Sequence, residues 1–325
     1  MFNITNLIDD KKCFEEVRSL RWEKQIICPH CNSNHVIKKG FHETCKYRQR
    51  YKCNNCKRRF DDLTNTIFQD SNISLKVWIL CSYFLTLNLS NSQIAEELDI
   101  GNDTAQRMCS ELREGIVKKK KVSELDGEVE FDEVYVVAGH KGRPDKVKEK
   151  KRKPRRRRLK GKRGRGTLAD EKVPILGMIQ RGGEVVIKML PNVKTVTIEP
   201  IIKNVVKIGT LIFTDEYSIY NRLIDWEYKH KTVNHSAGQY AVDEGGDGFC
   251  EVHVNTMEGF WSLLRSWLRP HRGVSQEKLP FYIGTFEFIH NCRKRGKKLL
   301  KSILSTLLFS DQRTTEEYLD FAYIK

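Results

Sequence analysis

The spacing of apolar positions changes character along the chain. Val77, Leu80, Cys81, Phe84 and Leu87 recur at three- and four-residue steps, which predicts a helix with one apolar face. Ile94, Leu98, Ile100, Ala105 and Met108 then line the inside of two short helices, with the turn at Asp99 to Gly101. Asn102 or Asp103 is placed to cap the second of them. Past Val122 the period falls to two. Gly127 to Val137 reads as a strand bearing acids, and 173–179 with 184–190 as a hairpin around Arg181-Gly182-Gly183. Thr197 to Lys207 predicts a helix with Ile198, Ile201, Ile202, Val205 and Val206 inward. Leu211 to Asp215 reads as a short buried strand and Tyr228 to Asn234 as another. Apolar helices follow over Asn255 to Leu268, Lys278 to Arg295 and Leu299 to Phe309.

Three strands, a helix, a strand and further helices make an α/β order, which fits a ribonuclease-H-like mixed sheet flanked by helices. Two smaller regions precede it. In the first, Cys28-Pro29-His30-Cys31 and Cys53-Asn54-Asn55-Cys56 stand 21 residues apart. Each C-x2-C pair puts two thiolates on one tight turn, and two such turns close a tetrahedral structural site for Zn2+. His35 to Lys38 and Tyr47 to Lys52 are strand-like and complete a zinc ribbon. Cys45 and His42 could compete as ligands but belong to no tight pair, and Cys13, Cys81, Cys109, Cys250 and Cys292 read as packing residues. The alternative is a set of unrelated buried cysteines.

The two helices around Asp99 to Gly101 have a helix-turn-helix pattern. Its second helix would present Asn102, Thr104, Gln106 and Arg107 to a DNA major groove, whereas an ordinary helical hairpin would use the same residues only as a solvated face. A ribbon beside such a pattern points to double-stranded DNA.

Composition narrows the class. With 325 residues, 39% hydrophobic and 31% charged, the chain has material for two or three domains and no disorder signature. No apolar run approaches a membrane span and no signal-peptide layout appears at the start. The expectation is therefore a cytoplasmic, nucleoid-associated protein with reduced thiols. The formal charge is +16, and residues 141–166 hold 16 Lys or Arg against Asp145 and Glu149, so that segment alone carries +14. Its densest run includes Lys150, Lys151, Arg152, Arg155, Arg156, Arg157 and Arg158. It is too charged to pack and is expected to be a mobile loop that orders against a phosphate backbone. The other reading is a solvated insert. The organisation expected is a helical lead-in at 1–20, a ribbon at 21–66 and a helix-turn-helix region at 72–121. An α/β domain at 125–297 follows, with the basic loop inside it, then a helical tail at 298–325.

Carboxylates that leave strands are the candidates for chemistry. Asp132 lies inside an apolar strand and Asp215 ends one, and a buried charge is costly unless paired or bound to metal. On a helix, Asn255, Glu258, Ser262 and Arg265 share one face while Phe260, Leu264 and Trp267 can turn to the sheet. Two Asp and a Glu brought together can hold two Mg2+ ions ~3.5–4 Å apart, an arrangement suited to phosphodiester chemistry. A solvated Glu258 and a capping Asp215 are the plainer alternative.

Phe131-Asp132-Glu133-Val134-Tyr135, Gly139-His140-Lys141-Gly142 with its basic run, Thr214-Asp215-Glu216-Tyr217 and the block from His253 to Leu264 resemble the ISXO-like DDE transposases of bacterial insertion sequences. The resemblance covers the whole chain, since those proteins also begin with a zinc ribbon and a helix-turn-helix. It implies that Asp132 and Asp215 are the first two ligands of Mg2+ or Mn2+. It makes the third either Asn255 or Glu258, followed by a Lys where this chain has Arg265. Glu258 is favoured because a carboxylate neutralises a divalent cation better than an amide does. Arg265 keeps a phosphate-binding cation of different shape. The resemblance implies an enzyme that binds element ends and catalyses metal-dependent strand cleavage and strand transfer, as a homodimer or larger oligomer on DNA. A DNA-binding regulator derived from such an enzyme, catalytically inactive, is the alternative, and a structure-selective nuclease of the same fold is a third reading.

Overall fold

The computed structural model describes residues 8–140, 144–149, 168, 171–233, 241–242 and 252–308. They separate into two compact units, one of residues up to Lys120 together with Gly296 to Leu308, the other of Lys121–Arg295.

In the first unit, helix α1 (Asp10–Arg21) is capped by Asp9, whose carboxylate accepts from Lys11 N at 2.8 Å. Three antiparallel strands follow in the order β1 (Val36–Phe41), β2 (Gln49–Cys53) and β3 (Arg59–Asp61). Buried Asp62 ties this ribbon to α1: it accepts from Arg18 Nη2 at 2.8 Å, Tyr51 Oη at 2.9 Å and Gln49 N at 2.7 Å. A carboxylate with three donors is stable in the interior because its lone pairs are met.

Helices α2 (Leu75–Thr86), α3 (Asn91–Leu98) and α4 (Asn102–Lys119) complete the front. Ser90 and Gln93 form a capping box at α3, and Asp99 closes that helix in the left-handed conformation at φ 53°. Three expectations need correction here. Helix α4 has 18 residues, because Leu112, Ile116 and Val117 extend the buried stripe well past Met108. Its N-cap is Gly101 without a side-chain bond, so Asn102 and Asp103 sit in the first turn and cap nothing. Leu87 lies beyond α2 and is 53% exposed, while α2 buries Leu75, Trp78 and Leu85 besides the expected face.

Helix α9 (Leu299–Leu308) returns to this first unit, packing on α1, α2 and α4. At Gly115 a Cβ would approach Leu307 to 2.7 Å and Ile67 to 3.2 Å, so glycine lets α9 lie close on α4. The ribbon, the three helices and α9 belong to one compact unit.

The second unit is built on a five-stranded sheet of order β6-β5-β4-β7-β8. Its strands are β4 (Glu128–Val137), β5 (Lys172–Gln180), β6 (Val185–Met189), β7 (Leu211–Asp215) and β8 (Lys229–Val233). β4, β5 and β6 run antiparallel, whereas β4, β7 and β8 are parallel. This is the ribonuclease-H-like arrangement. Helix α5 (Pro144–Glu149) follows β4, and α6 (Thr195–Val205) covers one face through Ile198, Ile201 and Ile202 over Val129, Phe131 and Met178. Helices α7 (Asn255–Leu268) and α8 (Leu279–Lys294) cover the other through Met257, Phe260, Trp261 and Ile283. Gly177, paired with Asp132 across β4 and β5, is the point of closest approach: a Cβ there would run into Met257 and Trp261. The β6 edge is covered by α8, where Glu287 accepts from Ile187 N at 3.2 Å and Asn291 bonds both backbone groups of Val185. Two short antiparallel strands, β9 (Ala241–Val242) and β10 (Val252–His253), lead into α7.

Candidate metal and catalytic centres

The four ribbon cysteines converge. Cys28 and Cys56 Sγ are 3.7 Å apart, Cys31 and Cys53 Sγ 3.6 Å, and all four lie within 4.8 Å of one another. Zinc–thiolate bonds of ~2.3 Å at tetrahedral angles require sulfurs ~3.8 Å apart, close to these two separations, so the donor set suits Zn2+. Tyr51 and Phe60, stacked with centroids 5.1 Å apart, pack beneath the cluster with Trp22. His42 bonds Thr44 Oγ1 at 3.0 Å, and neither it nor Cys45 joins the group. Cys81 and Cys109, as expected of packing residues, are buried together between α2 and α4 with Sγ atoms 3.7 Å apart.

Asp132 stands mid-strand on β4, on the face that α7 covers. Trp261 Nε1 donates to its Oδ2 at 2.9 Å. Burial pushes its carboxyl up to about 6; the hydrogen bonds from Glu133 N and Trp261 oppose that rise, and the charges of Asp215 and Glu258 add to it. Parallel pairing of β4 with β7 matches Glu130 to Phe213, and the same offset two residues on sets Asp215 level with Asp132. Asp215 ends β7 half-buried, its Oδ1 accepting from Tyr217 N at 3.1 Å. On α7, Asn255, Glu258, Ser262 and Arg265 are all exposed along one stripe, with Phe260 and Leu264 buried opposite. Among the described residues only the four cysteines have three or more ligand atoms drawn within 4.8 Å, so the three carboxylates stand further apart than the thiols. Two Asp and a Glu around one negative field are nonetheless a hard-oxygen donor set of the kind that suits Mg2+ or Mn2+.

Residues that the apolar and acidic pattern did not single out hold this arrangement. Glu130, two positions before Asp132 on the same face, is fully buried. It accepts from Thr256 Oγ1 at 2.9 Å, Met257 N at 3.0 Å and Arg181 Nε at 2.9 Å. It therefore satisfies an open amide in the first turn of α7 with a negative charge, which the helix dipole favours. Arg181 also donates to His253 O at 3.0 Å and lies 3.9 Å over the Phe213 ring. The result pins the start of the helix carrying Asn255 and Glu258 to the strand carrying Asp132. On the opposite face Tyr220 donates to Glu133, and burial with that carboxylate beside it raises the phenol well above its ordinary value. The signal available for Glu130 was its parity with Asp132; nothing in the strand named Arg181 as its partner.

On α4, Asn102, Gln106 and Arg107 are exposed and Thr104 half-buried, so these four lie on the open side of the helix. Arg107 reaches Glu111 Oε1 at 3.1 Å. Lys150, Lys151, Arg152, Arg155, Arg156, Arg157 and Arg158 lie outside the described residues; of the basic segment, α5 is described and is solvent-facing.

Residues 124–291 match the ISXO2-like transposase domain and residues 8–59 the transposase zinc-ribbon domain. The chain is 33% identical over 312 residues, 95% of its length, to the whole of an uncharacterized protein in transposable element ISH50 of Halobacterium salinarum. It is 29% identical over 105 residues to an uncharacterized transposase-like protein of Haemophilus influenzae, covering 32% of this chain and 77% of that one. Among solved structures, a simian T-cell lymphotropic virus intasome in complex with PP2A regulatory subunit B56 gamma aligns at TM-score 0.28 and 8% identity, over 63% of this chain and 66% of that chain. The Mos1 strand transfer complex aligns at TM-score 0.23 and 12% identity, over 70% and 77%. No helix among the described residues is long and apolar enough to cross a membrane.

Proposed function

Because the chain belongs to the ISXO2-like transposase family, we propose that it binds the ends of an insertion element and catalyses cleavage and transfer of DNA strands at a divalent-metal centre. Asp132, Asp215 and Glu258 would hold the metal, Mg2+ or Mn2+. When bound, the cations would supply an activated oxygen nucleophile and neutralise charge on the leaving oxygen. The observation that carries this reading is Asp132 itself, a buried mid-strand carboxylate that the register of β4 and β7 sets level with Asp215, its carboxyl pushed up by burial. Burial disfavours the charged carboxylate, and a bound cation would offset that cost.

The side chains have distinct duties. Trp261 fixes Oδ2 of Asp132, and so sets the orientation in which the carboxylate would meet the metal. Glu130 and Arg181 orient the first turn of α7. Glu258 is taken as the third ligand in preference to Asn255, because a carboxylate neutralises a divalent cation better than an amide does. Arg265, two turns further along the exposed stripe, contacts a phosphate of the DNA. The open side of α4, with Asn102, Thr104, Gln106 and Arg107, enters the major groove, while the basic segment around Lys150 to Arg158 binds backbone without regard to sequence. Synapsis of two ends calls for a homodimer or larger assembly.

The test is a four-variant panel on an end-bearing duplex. Glu258→Gln is expected to be almost inactive in Mg2+ with partial recovery in Mn2+, whereas Asn255→Ala is the milder change. The reverse order would move the ligand to Asn255. Full activity of Asp132→Ala, Asp215→Ala and both α7 variants would leave a DNA-binding regulator without catalysis.

A further inference from the structure

The ribbon has a second face that the zinc site does not use. On β2, Tyr51 and Cys53 turn inward and are fully buried, so Arg50 and Lys52 turn outward. Antiparallel pairing sets Lys52 beside Arg59 and Arg50 beside Asp61. With Lys39 and His42 these side chains wall a concavity of about 480 Å³. Its one carboxylate, Asp61, is already held by Arg48 at 2.8 Å. Lys39, Lys52 and Arg59 form no ion pair among the described residues. Arg50 meets Glu43 at 3.4 Å, but that glutamate is 86% exposed and screened by water. The Arg50 Nε atom is buried and has no hydrogen-bond acceptor. A buried donor without a partner is costly and neighbouring cations repel, and an anion would relieve both.

We propose that this outer face of the ribbon is a phosphate clamp that grips the DNA backbone through Lys39, Lys52, Arg59 and Arg50. The inference rests on the transposase reading for its choice of polyanion. Phosphodiesters fit because each offers oxygens to a guanidinium fork, and a backbone offers several in a row to cations spaced along two strands. The described lining holds no Asn or Gln that could pair with a base edge. On this proposal the cations meet phosphates and not base edges, so the clamp adds affinity and fixes register while selection falls to α4.

The experiment uses the full chain and two duplexes, one bearing the element end and one scrambled, with affinity measured across NaCl concentrations. In Lys39→Ala/Lys52→Ala/Arg59→Ala, three lost phosphate contacts should flatten the slope of log K against log[salt] by about 2.7, equally on both duplexes. Lys39→Arg/Lys52→Arg/Arg59→Lys should keep the slope, and bound zinc should stay at the wild-type level in both variants. Should the alanine variant lose zinc, Lys52→Gln and Arg59→Gln taken singly must each remove about 0.9 from the slope. An unchanged slope with zinc retained overturns the clamp, as does a loss confined to the end-bearing duplex. If wild type binds and cleaves DNA, either result defeats the clamp alone; if wild type binds neither duplex, the transposase reading fails with it.

Discussion

The two candidate metal centres are built in opposite ways. The ribbon brings four thiols within 4.8 Å from two local turns, so each pair of ligands is set by three peptide units. The catalytic candidates come from β4, β7 and α7, stand further apart, and depend on strand register and helix docking for their positions. A closed site of matched donors makes a structural centre, whereas an open one leaves room for exchangeable ligands. The difference also shows in what lies behind the ligands. An aromatic stack packs the cluster from below, while Asp132 and α7 are held by charged and hydrogen-bonding side chains, Glu130, Arg181 and Trp261.

The largest effect should come from breaking the closed centre. Cys28→Ser or Cys53→Ser removes a ligand from a site of the kind whose apparent zinc binding is ~10–16 kcal/mol. Bound zinc should fall far below one per chain, and ribbon amides should lose protection from hydrogen exchange while those of the five-stranded sheet keep theirs. Equal loss of protection in both units would break the contrast.

At the open centre the corresponding weak point is the support. Glu130→Ala strips the acceptor from Arg181, Thr256 and Met257, and removing one partner of a buried charged pair costs roughly 3–5 kcal/mol. Urea denaturation should report that loss, and strand cleavage should fall even where the variant is fully folded. Glu130→Gln, which keeps an acceptor for the α7 amide, should recover part of the stability and part of the activity. Wild-type cleavage by a folded Glu130→Ala protein would reduce the residue to a packing role.

A smaller effect concerns pH. The folded Asp132 carboxyl lies at about 6, above its ordinary 3.8, so the folded state binds the extra proton and stability falls as pH rises through this window. Asp132→Asn removes that penalty. In metal-free buffer at pH 8 it should stabilise the second unit by about 2 kcal/mol, a gain that fades below pH 4. Trp261→Phe deletes a hydrogen bond to the charged form, so the acid limb of the cleavage profile should move to higher pH. The smallest effect is local to the front unit. Ser90→Ala opens the capping box of α3 and should cost about 1 kcal/mol in thermal unfolding, with no change at the catalytic centre.

The same contrast divides what is legible in the amino-acid sequence from what is not. The cysteine spacing specified the ribbon because its geometry is local. Strands β4 to β8 and helices α6 to α8 were legible from period, whereas α5, inside the expected basic loop, and the short β9 and β10 were not; the exposed stripe of Asn255, Glu258, Ser262 and Arg265 followed from helix geometry. Docking was not legible. The apolar stripe of α9 announces a buried face without naming its partner, and Gly115 marks the contact only once Leu307 is known to lie there. Helix α4 ran longer than expected because Leu112 and Ile116 continue the stripe beyond the turn motif that drew attention to its start. Glu130 and Asp132 look alike in the strand. What separates them is an arginine 51 residues away and a helix N-terminus 127 residues away, and neither distance leaves a mark on the local pattern.

On the proposed function, Asp132 and Asp215 hold the catalytic metal and take no part in DNA recognition. The direct measurement is strand cleavage and joining by Asp132→Ala and Asp215→Ala on an end-bearing duplex, with duplex affinity measured on the same preparations. Loss of several kcal/mol of transition-state stabilisation predicts activity down by ~10³-fold or more in each, with affinity within about threefold of wild type. Cleavage near the wild-type rate in either variant, or loss of activity that tracks loss of binding, would contradict it.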